Sequence, residues 1–156
     1  MTSIVKFNNQ IPPTSEENIE KVRIAEEIIR GHAQIEFCTE HVFHAGMYAR
    51  TVRIAPHVVF TSVLIKRPTL LVTRGSYEML AGDRWVAVYG YSVLQASAGR
   101  KQIYRTITEV EMTMIFPTKA TNVADVESEF TDETESLLSR KLENDIVITG
   151  VPACLE

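Results

Sequence analysis

The stretch GMYARTVRIAPHVVFTSVLIKRPTLLVTRG, residues 46–75, decides the fold of this chain. It holds three runs rich in β-branched and aromatic side chains, at residues 47–54, 58–65 and 69–73. Pro56 and Pro68 separate the runs, and Gly75 follows the last of them. Short β-prone runs between turn-forming residues are typical of antiparallel sheet. The stretch therefore predicts the centre of a small β-barrel.

The same pattern continues towards the C-terminus. Residues 76–80 and 84–88 flank Ala81-Gly82-Asp83, and they predict a hairpin because glycine readily adopts the positive φ that tight turns need. Further short runs at residues 91–95, 102–106 and 110–116 complete the predicted sheet. A series of short strands with no helix between them favours a sandwich or jelly roll over an α/β fold. We therefore predict a mainly β protein with a single barrel.

A helix is predicted before the barrel, after an extended arm at residues 1–13. Apolar residues keep helical spacing between residues 15 and 30, and Thr14 and Glu17 have the spacing of a capping box. Gly31 is placed to end this helix. One face of the helix is expected to pack on the barrel or on a partner subunit, and both alternatives stay open. Alternating apolar and polar residues between 32 and 44 then predict one more strand.

The composition changes after Pro117. Residues 122–135 contain six acidic side chains and no basic one, and apolar residues that persist beyond them predict a helix from about residue 132 to residue 142. The apolar run at residues 146–152 predicts an added strand, of a kind that often completes the sheet edge of a neighbour. The chain thus divides into an N-terminal arm and helix (1–31), a barrel (32–117) and an acidic C-terminal tail with a helix (118–156).

The composition is that of an ordinary globular protein. Hydrophobic residues make up 45% of the 156 residues and charged residues 23%, which argues against both disorder and a membrane protein. No apolar run is long enough to span a membrane, and the N-terminus lacks the apolar core of a secretory signal. We therefore expect a cytoplasmic protein without a membrane partner. Cys38 and Cys154 are expected to be free thiols there, with a disulfide between them as the open alternative.

Charge is unevenly distributed along the chain. Residues 1–49 carry a formal charge of −3, residues 50–105 carry +7 and residues 106–156 carry −8, which sum to the net charge of −4. A basic barrel is suited to an anion such as a phosphate, a sugar nucleotide or a nucleic acid. The simpler explanation is that the acidic ends fold onto the basic barrel and neutralise it. No nucleic-acid-binding motif is present, so a nucleic-acid partner is not expected.

The order of strands, turns and glycines over residues 41–140 resembles the cupin superfamily, whose members are small jelly-roll barrels. More closely, HVFHAGMYARTVRIAP (41–56), Gly75 and VADVESEFTDETESLLSRK (123–141) look like a group of uncharacterised cupin-like proteins of bacteriophages and prophages. The resemblance implies a cupin-like double-stranded β-helix, the jelly roll, carrying an N-terminal helix and a C-terminal helical tail.

Metal-dependent cupins, as the resemblance implies, carry two histidines and a carboxylate before the glycine that matches Gly75. No residue from 58 to 77 is His, Asp, Glu or Cys. The positions where ligands would fall hold Leu64, Lys66, Pro68 and Leu70. A further histidine is usual after the second turn, but there Gly99 is followed by Arg100 and Lys101. We therefore expect neither a metal nor another cofactor in the barrel.

The densest group of possible metal ligands lies before the barrel and comprises Glu36, Glu40, His41 and His44. Residues three apart share one side of a helix, but they diverge in a strand or a bend. We expect these histidines to make ordinary hydrogen bonds at the barrel mouth. His57, which follows Pro56 in a turn, is expected to be solvated, and its alternative role is to line a pocket.

Two kinds of site are considered for the barrel, an acid–base pair that the resemblance implies and a group of arginines that could bind an anion. Cupin-type epimerases that need no metal use a histidine base and a tyrosine acid, for which His44 and Tyr48 are the candidates. An open pocket holding such a pair would support this enzymatic alternative. An interior filled by Leu64, Leu70, Val72 and Trp85 would exclude it.

Arginines in strand centres predict the second kind of site. An inward guanidinium must meet a buried carboxylate or an anionic ligand. The candidate ligand-binding residues are Arg50, Tyr48, Arg105 and Tyr104. A carboxylate such as Glu109 or Glu111 is the alternative partner of Arg50.

The function that we predict is non-enzymatic. The barrel serves either as a structural or assembly component associated with a virion, or as a binder of a small anionic ligand. The alternative is a metal-independent sugar or sugar-nucleotide epimerase. The terminal arms are expected to join copies into a dimer or a higher homo-oligomer, and the phage resemblance implies other phage structural proteins as partners. The protein is then expected in the cytoplasm of a host cell or in a virion.

Overall fold

The structure is a computed structural model that describes residues 7–137 and 145–149, without the side chains of residues 145 and 149. Within these residues no helix combines the length and the apolar character needed to cross a membrane. The elements are, in chain order, β1 (Gln10–Ile11), α1 (Glu16–Arg30), β2 (Thr39–His44), β3 (Met47–Ile54), β4 (Val59–Thr61), β5 (Thr69–Arg74), β6 (Tyr77–Ala81), β7 (Arg84–Val88), β8 (Ser92–Ala96), β9 (Ile103–Thr106), β10 (Val110–Pro117), α2 (Val123–Phe130), a 3₁₀ turn (Thr134–Ser136) and β11 (Asp145–Thr149).

Two sheets form the barrel. The larger sheet has seven strands in the order β1-β8-β5-β10-β3-β2-β11, and the smaller sheet has four in the order β4-β9-β6-β7. Between β3 and β10 the chain crosses repeatedly from one sheet to the other. The protein is therefore mainly β and has a jelly-roll architecture, as the sequence predicted.

The core lies between the two sheets. Side chains alternate along each strand, so one residue in two points inward. On β10, Met114 lies opposite Leu71 of β5 and opposite Arg50 of β3, and all three point into the barrel. The aromatic side chains buried in this core are Phe43, Tyr48, Tyr77, Tyr104, Phe116 and Phe130.

The four side chains that would have excluded an enzyme by filling the interior, Leu64, Leu70, Val72 and Trp85, do not fill it. Leu70 is 45% exposed and Trp85 is 59% exposed. The buried neighbours are Ile65 and Leu71. Because the side chains of a strand alternate, a shift of one residue exchanges the inner and outer faces. The runs were therefore recognised as strands, but the wrong faces were assigned to the core.

Ser15, rather than Thr14, caps α1. The Ser15 hydroxyl accepts a hydrogen bond from the Asn18 N–H at 3.2 Å. The Thr14 hydroxyl instead bonds the backbone of Lys101, donating to its carbonyl and accepting from its N–H, each at 3.0 Å. Gly31 caps the other end of the helix, as predicted. Residues 33–38 have no regular structure, so the strand predicted from residue 32 begins only at Thr39.

The helix of the C-terminal tail lies earlier than predicted. It is α2, whose Val126 and Phe130 are buried in the core. The predicted helix at 132–142 contains only the 3₁₀ turn, and its residues 138–142 lie outside the described residues. β11 adds a parallel strand beside β2 of the same chain. Residues 150–152 of that predicted strand and Cys154 also lie outside the described residues, so the state of the two thiols stays a prediction.

A buried lysine joins α1 and the segment after α2 to the barrel. The Lys101 side chain is 1% exposed, and its Nζ donates to Glu26 at 2.7 Å, to Glu133 at 3.3 Å and to the Ser62 carbonyl at 3.0 Å. Glu133 also accepts a hydrogen bond from Arg23 of α1 at 2.7 Å. A buried ammonium is stable only with such partners, so this cluster fixes where α1 and the segment after α2 pack.

Gly75 cannot accept a side chain. It has a φ of +113°, and a Cβ added there would lie 2.3 Å from the Glu109 carbonyl oxygen. We expect Gly75→Ala to lower the free energy of unfolding by about 3 kcal/mol. Gly90→Ala is the control, since Gly90 also has a positive φ (+70°) but no atom within 4 Å of the added Cβ, and it should cost about 1 kcal/mol. Urea denaturation of both variants measures the difference, and equal losses would contradict the steric argument.

The Lys101 cluster predicts a large cost for removing its cation. Lys101→Ala leaves Glu26 and Glu133 without that cation, and we expect a loss of about 3–5 kcal/mol in the free energy of unfolding. Lys66→Ala removes an exposed ion pair with Asp132, whose side chains are 41% and 87% exposed, and should cost less than about 1 kcal/mol. Chemical denaturation at neutral pH compares the two variants. A loss for Lys101→Ala as small as that for Lys66→Ala would show that the cluster is not needed.

Glu133 should make stability depend on acid pH. Burial alone would raise the pKa of Glu133, but the Leu64 N–H, Lys101 and Arg23 together lower it below its ordinary value of 4.5. The stabilisation is therefore complete above pH 4.5 and is lost as the pH falls through the lower pKa of the folded state. We expect Glu133→Gln to be less stable than the wild type at neutral pH and to lose less stability on acidification. Equal losses of unfolding free energy on acidification in the two proteins would refute this role.

Candidate binding groove

Tyr48 lies inside the barrel, where it meets a different histidine from the one predicted. Its side chain is fully buried, and its hydroxyl lies 2.7 Å from His41 Nδ1, which is also fully buried. His44 is exposed and lies opposite Met47, whereas Tyr48 lies opposite Phe43. Consecutive pairs in an antiparallel ladder point to opposite faces. The prediction that His44 and Tyr48 work as a pair is therefore wrong.

Arg50 is held by a carboxylate of the tail. Its NH1 lies 3.2 Å from Glu127 Oε2, and the two side chains are 12% and 1% exposed. The guanidinium also lies 5.6 Å from the centre of the Phe130 ring. The predicted alternative partners do not pair with it, since Glu111 instead forms an ion pair with Arg53 at 2.8 Å. This pairing helps to dock α2 against the barrel.

Tyr104 and Arg105 are neighbours on β9 and point to opposite sides of the sheet. Tyr104 is buried and donates to Gln102 Oε1 at 2.7 Å, and burial raises the pKa of its hydroxyl above the ordinary value. Arg105 lies on the surface, where NH2 is 2.5 Å from Glu78 Oε2. The four residues predicted to bind a ligand are therefore distributed over separate environments and form no common site.

The side chain of Arg100 is a buried cation. Arg100 is 2% exposed, and its guanidinium donates to the Ser97 carbonyl at 2.8 Å and to Thr69 Oγ1 at 2.7 Å. Burial lowers the pKa of Arg100. Among the described residues, no group of three His, Cys, Asp or Glu could hold a metal ion. A buried guanidinium would also repel a metal cation at this point.

The cluster of Glu36, Glu40, His41 and His44 is dispersed. Glu36 precedes β2 and is exposed. Along β2, His41 points into the barrel, whereas Glu40 and His44 point to the outer face. Because strand neighbours alternate, these side chains cannot converge on one ion. His57 is exposed with a φ of +60°, and it borders a pocket of about 350 Å³ between α1 and β4, which matches its alternative assignment.

The acidic tail neutralises the basic barrel within one chain. Four carboxylates from α2 and the segment that follows it form ion pairs with barrel cations: Glu127 with Arg50, Glu129 with Arg67, Asp132 with Lys66 and Glu133 with Lys101. The simpler explanation of the charge pattern is confirmed for these residues. The basic run from 50 to 105 is therefore no evidence for a large anionic partner.

A wide groove of about 1550 Å³ lies along β7. It runs between this edge strand, the arm that carries β1, and the adjoining parts of β5 and β8. Trp85 is 59% exposed and Tyr89 is 68% exposed on its wall. Arg84 is the one charged residue among the described residues that line it. The groove thus offers aromatic surface and a cation, a combination suited to binding.

Local contacts fix the wall that bears these side chains. The turn between β6 and β7 contains Gly82, where an added Cβ would lie 2.7 Å from the ring of Pro12. The next residue, Asp83, accepts hydrogen bonds from Ser15 at 3.1 Å and from Asn18 at 2.5 Å. The hairpin is therefore anchored to the arm and to the first turn of α1.

Sequence reasoning missed this groove because it considered Trp85 as a side chain that could fill the interior. The signal that could have found it is the alternation in β7. Val86 and Val88 point inward there, opposite Met79 and Tyr77 of β6. Trp85 must then point away from the core. The groove itself also needs parts of the chain that are far apart in sequence, so no local pattern describes it.

Comparisons with known proteins give a similarity of fold. No protein-family model and no curated protein matches the chain. The cupin-2 domain of an XRE family transcriptional regulator from Enterobacter cloacae is 15% identical with a TM-score of 0.44, over 52% of this chain and 97% of that one. A cupin superfamily protein from Desulfitobacterium hafniense is 11% identical with a TM-score of 0.44, over 56% of this chain and 83% of that one.

A cupin-2 domain from Rhodospirillum rubrum is 12% identical with a TM-score of 0.42, over 58% of this chain and 69% of that one. These identities and scores are low, so the fold assignment rests on the strand order of this chain itself. Nothing in these similar structures links the chain to bacteriophages, and the phage grouping stays a prediction.

Proposed function

We propose that this protein is a non-catalytic assembly module whose copies associate through the outer face of the seven-stranded sheet. The observation that carries the proposal is the apolar character of a face that the described parts of the chain leave uncovered. An assembly role also accords with the phage-type grouping that the sequence resembles.

Two rows of side chains cross the outer face from β8 to β2. The first row is Gln95, Leu70, Ile115, Ala49 and Val42, and the second is Val93, Val72, Thr113, Thr51 and Glu40. Glu40 is the one charged residue in these rows. β11 extends them with Ile148 and Ile146, which are 47% and 51% exposed. A sheet face that is exposed to water normally carries polar side chains, so this face is unusually apolar.

Neither helix covers the face. α1 lies beside β4 of the smaller sheet, where Thr61 donates to Glu26 at 2.9 Å. α2 packs on the inner side, where the Phe130 and Phe116 rings meet edge to face. Beyond the apolar rows, Arg74, Glu111 and Arg53 form a charged border. An apolar centre with a polar border is the usual anatomy of a protein interface.

The dimensions of the face suit a second copy. Strands lie about 4.8 Å apart and rise about 3.4 Å per residue, so the two rows over six strands present a plane of roughly 400 Å² before side-chain relief is counted. A standard interface buries roughly 800 Å² of accessible surface on each partner. A second copy presents an equally flat and apolar sheet, and face-to-face packing of sheets is a common arrangement.

The proposal moves the expected contact from the terminal arms to the sheet. The described part of the arm pairs with β8 of its own chain through Gln10 and Ile11. β11 pairs with β2 of its own chain. In this proposal the C-terminal strand contributes by widening the apolar face.

The barrel interior does not support acid–base catalysis. The His41–Tyr48 pair has the chemistry of the epimerase alternative, but both side chains are fully buried. Neither residue lines the groove beside β7 or the pocket beside His57. A base must lie within hydrogen-bonding distance of the proton that it removes from a substrate. The burial of both side chains therefore gives the enzymatic alternative no geometric support.

A charge at the centre of the sheet tests the proposal. We expect the wild type to sediment as a dimer or a higher oligomer, and Ile115→Glu to raise the dissociation constant at least 100-fold, because the new carboxylate would be buried between copies. Val93→Glu, at a position that is 41% exposed in the single chain, should weaken association without disturbing the fold. Sedimentation velocity over a range of concentrations gives the masses.

Val59→Glu is the matched control, since Val59 is 45% exposed but lies on the smaller sheet. It should associate as the wild type does. A monomeric wild type, or an unchanged oligomer in both Ile115→Glu and Val93→Glu, would refute the proposal. Circular dichroism of each variant separates loss of association from loss of folding.

A further inference from the structure

We propose that the groove beside β7 binds an extended peptide segment that carries a carboxylate, by pairing with the free edge of that strand. This site lies apart from the apolar sheet face and is independent of the assembly role. The partner is defined by its chemistry: an extended backbone, an apolar side chain and an acidic side chain two residues later.

The edge of β7 is available for pairing. β7 is the last strand of the smaller sheet, and in the described part of the chain it pairs with β6 alone. An edge strand presents a row of unpaired N–H and C=O groups. The residues of β7 from Arg84 to Ala87 all line the groove, so the groove follows this edge along most of its length.

Of the usual features that protect an edge, β7 carries one, the charged side chain of Arg84. Natural edge strands are commonly kept short, interrupted by proline, marked with lysine, or covered by another element. The opposite edge of the same sheet, β4, has three residues and lies against α1. β7 has five residues, RWVAV, without proline or lysine. An open edge of this kind in a groove is the arrangement used when a peptide adds a strand to a sheet.

The side chains around the edge define the ligand. Arg84 forms no ion pair with any described residue, and it is the one charged group among the described residues of the groove. Val86 lies two residues further on and shares its side of the strand. Cross-strand neighbours contribute when they are complementary, so an acidic residue belongs opposite Arg84 and an apolar residue opposite Val86. In an antiparallel arrangement this gives the order apolar, any residue, acidic.

The size and the aromatic walls favour a peptide over a small molecule. Pockets for small ligands measure about 300–1000 Å³, whereas this groove measures about 1550 Å³. Trp85 points to the other side of the strand from Arg84 and is 59% exposed. It can therefore cover the alternate side chains of an added strand, while Pro12 and Pro68 bound the groove opposite.

The test uses a synthetic peptide and the natural fluorescence of the protein. The probe is acetyl-Thr-Val-Thr-Val-Thr-Glu-Thr-amide, which places valine and glutamate in the required order. Trp85 is the single tryptophan of the chain, so a change in tryptophan emission reports on the groove alone. We expect saturable binding to the full chain, with the same dissociation constant from fluorescence and from calorimetry.

Two changes separate strand pairing from adhesion to an aromatic surface. Methylation of alternate backbone nitrogens of the peptide removes donors to the edge and should weaken binding at least tenfold. Arg84→Ala should weaken binding of the unmethylated peptide about tenfold. Arg74→Ala is the matched control, since Arg74 is exposed on the larger sheet outside the groove, and it should bind as the wild type does.

The outcomes that overturn the proposal are specific. Absence of saturable binding, equal binding of the methylated peptide, or unchanged affinity of Arg84→Ala would each refute it. A smaller oligomer for Arg84→Ala without peptide binding would assign the edge to contact between copies instead. Ile115→Glu should retain peptide binding, so failure of the assembly proposal and failure of this one give different results.

Discussion

The ammonium group of Lys101 determines how α1 and the segment after α2 pack on the barrel. It is buried, so hydrogen-bond acceptors of the protein must replace the water around its charge. Those acceptors come from α1 through Glu26 and from the segment after α2 through Glu133. With these carboxylates in place, α1 lies beside the smaller sheet and α2 lies on the inner side of the larger one. Among the described residues, neither α1 nor α2 covers the outer face of the larger sheet, and β7 pairs with β6 alone.

The strands were predictable because their signals are local. β3, β5, β7 and β10 lie within one residue of their predicted limits, since each run is β-prone and ends at a proline, a glycine or a polar turn. The faces were harder to predict. On β5, Leu70, Leu71 and Val72 are all apolar, so the sequence carries no preference for one side. Because β5 is apolar on both sides, it also contributes apolar side chains to the outer face of the sheet. The tail helix was misplaced because the buried residues Val126 and Phe130 lie among acids that pair with the barrel.

The candidate residues were chosen by chemical type, and type alone cannot show whether a group is already satisfied. Arg50 and Tyr48 have the chemistry of a binding site, yet their partners, Glu127 and His41, use that chemistry to hold the fold. The groove gave the opposite error. Its wall residues looked like core because Trp85 is large and apolar, and its shape arises from segments that meet only in the folded chain. Pairing and enclosure are tertiary properties, whereas the sequence reports composition and period.

Several contacts of this chain join residues that are synthesised far apart in time. Thr14 bonds Lys101 across a separation of 87 residues, and Arg23 bonds Glu133 across 110. Thr14 and α1 are therefore synthesised well before the residues that they contact. Contacts between distant residues also slow folding, because a long loop must close before they form. During that interval α1 has only its own short-range contacts, and its apolar side chains stay exposed to solvent and to other chains.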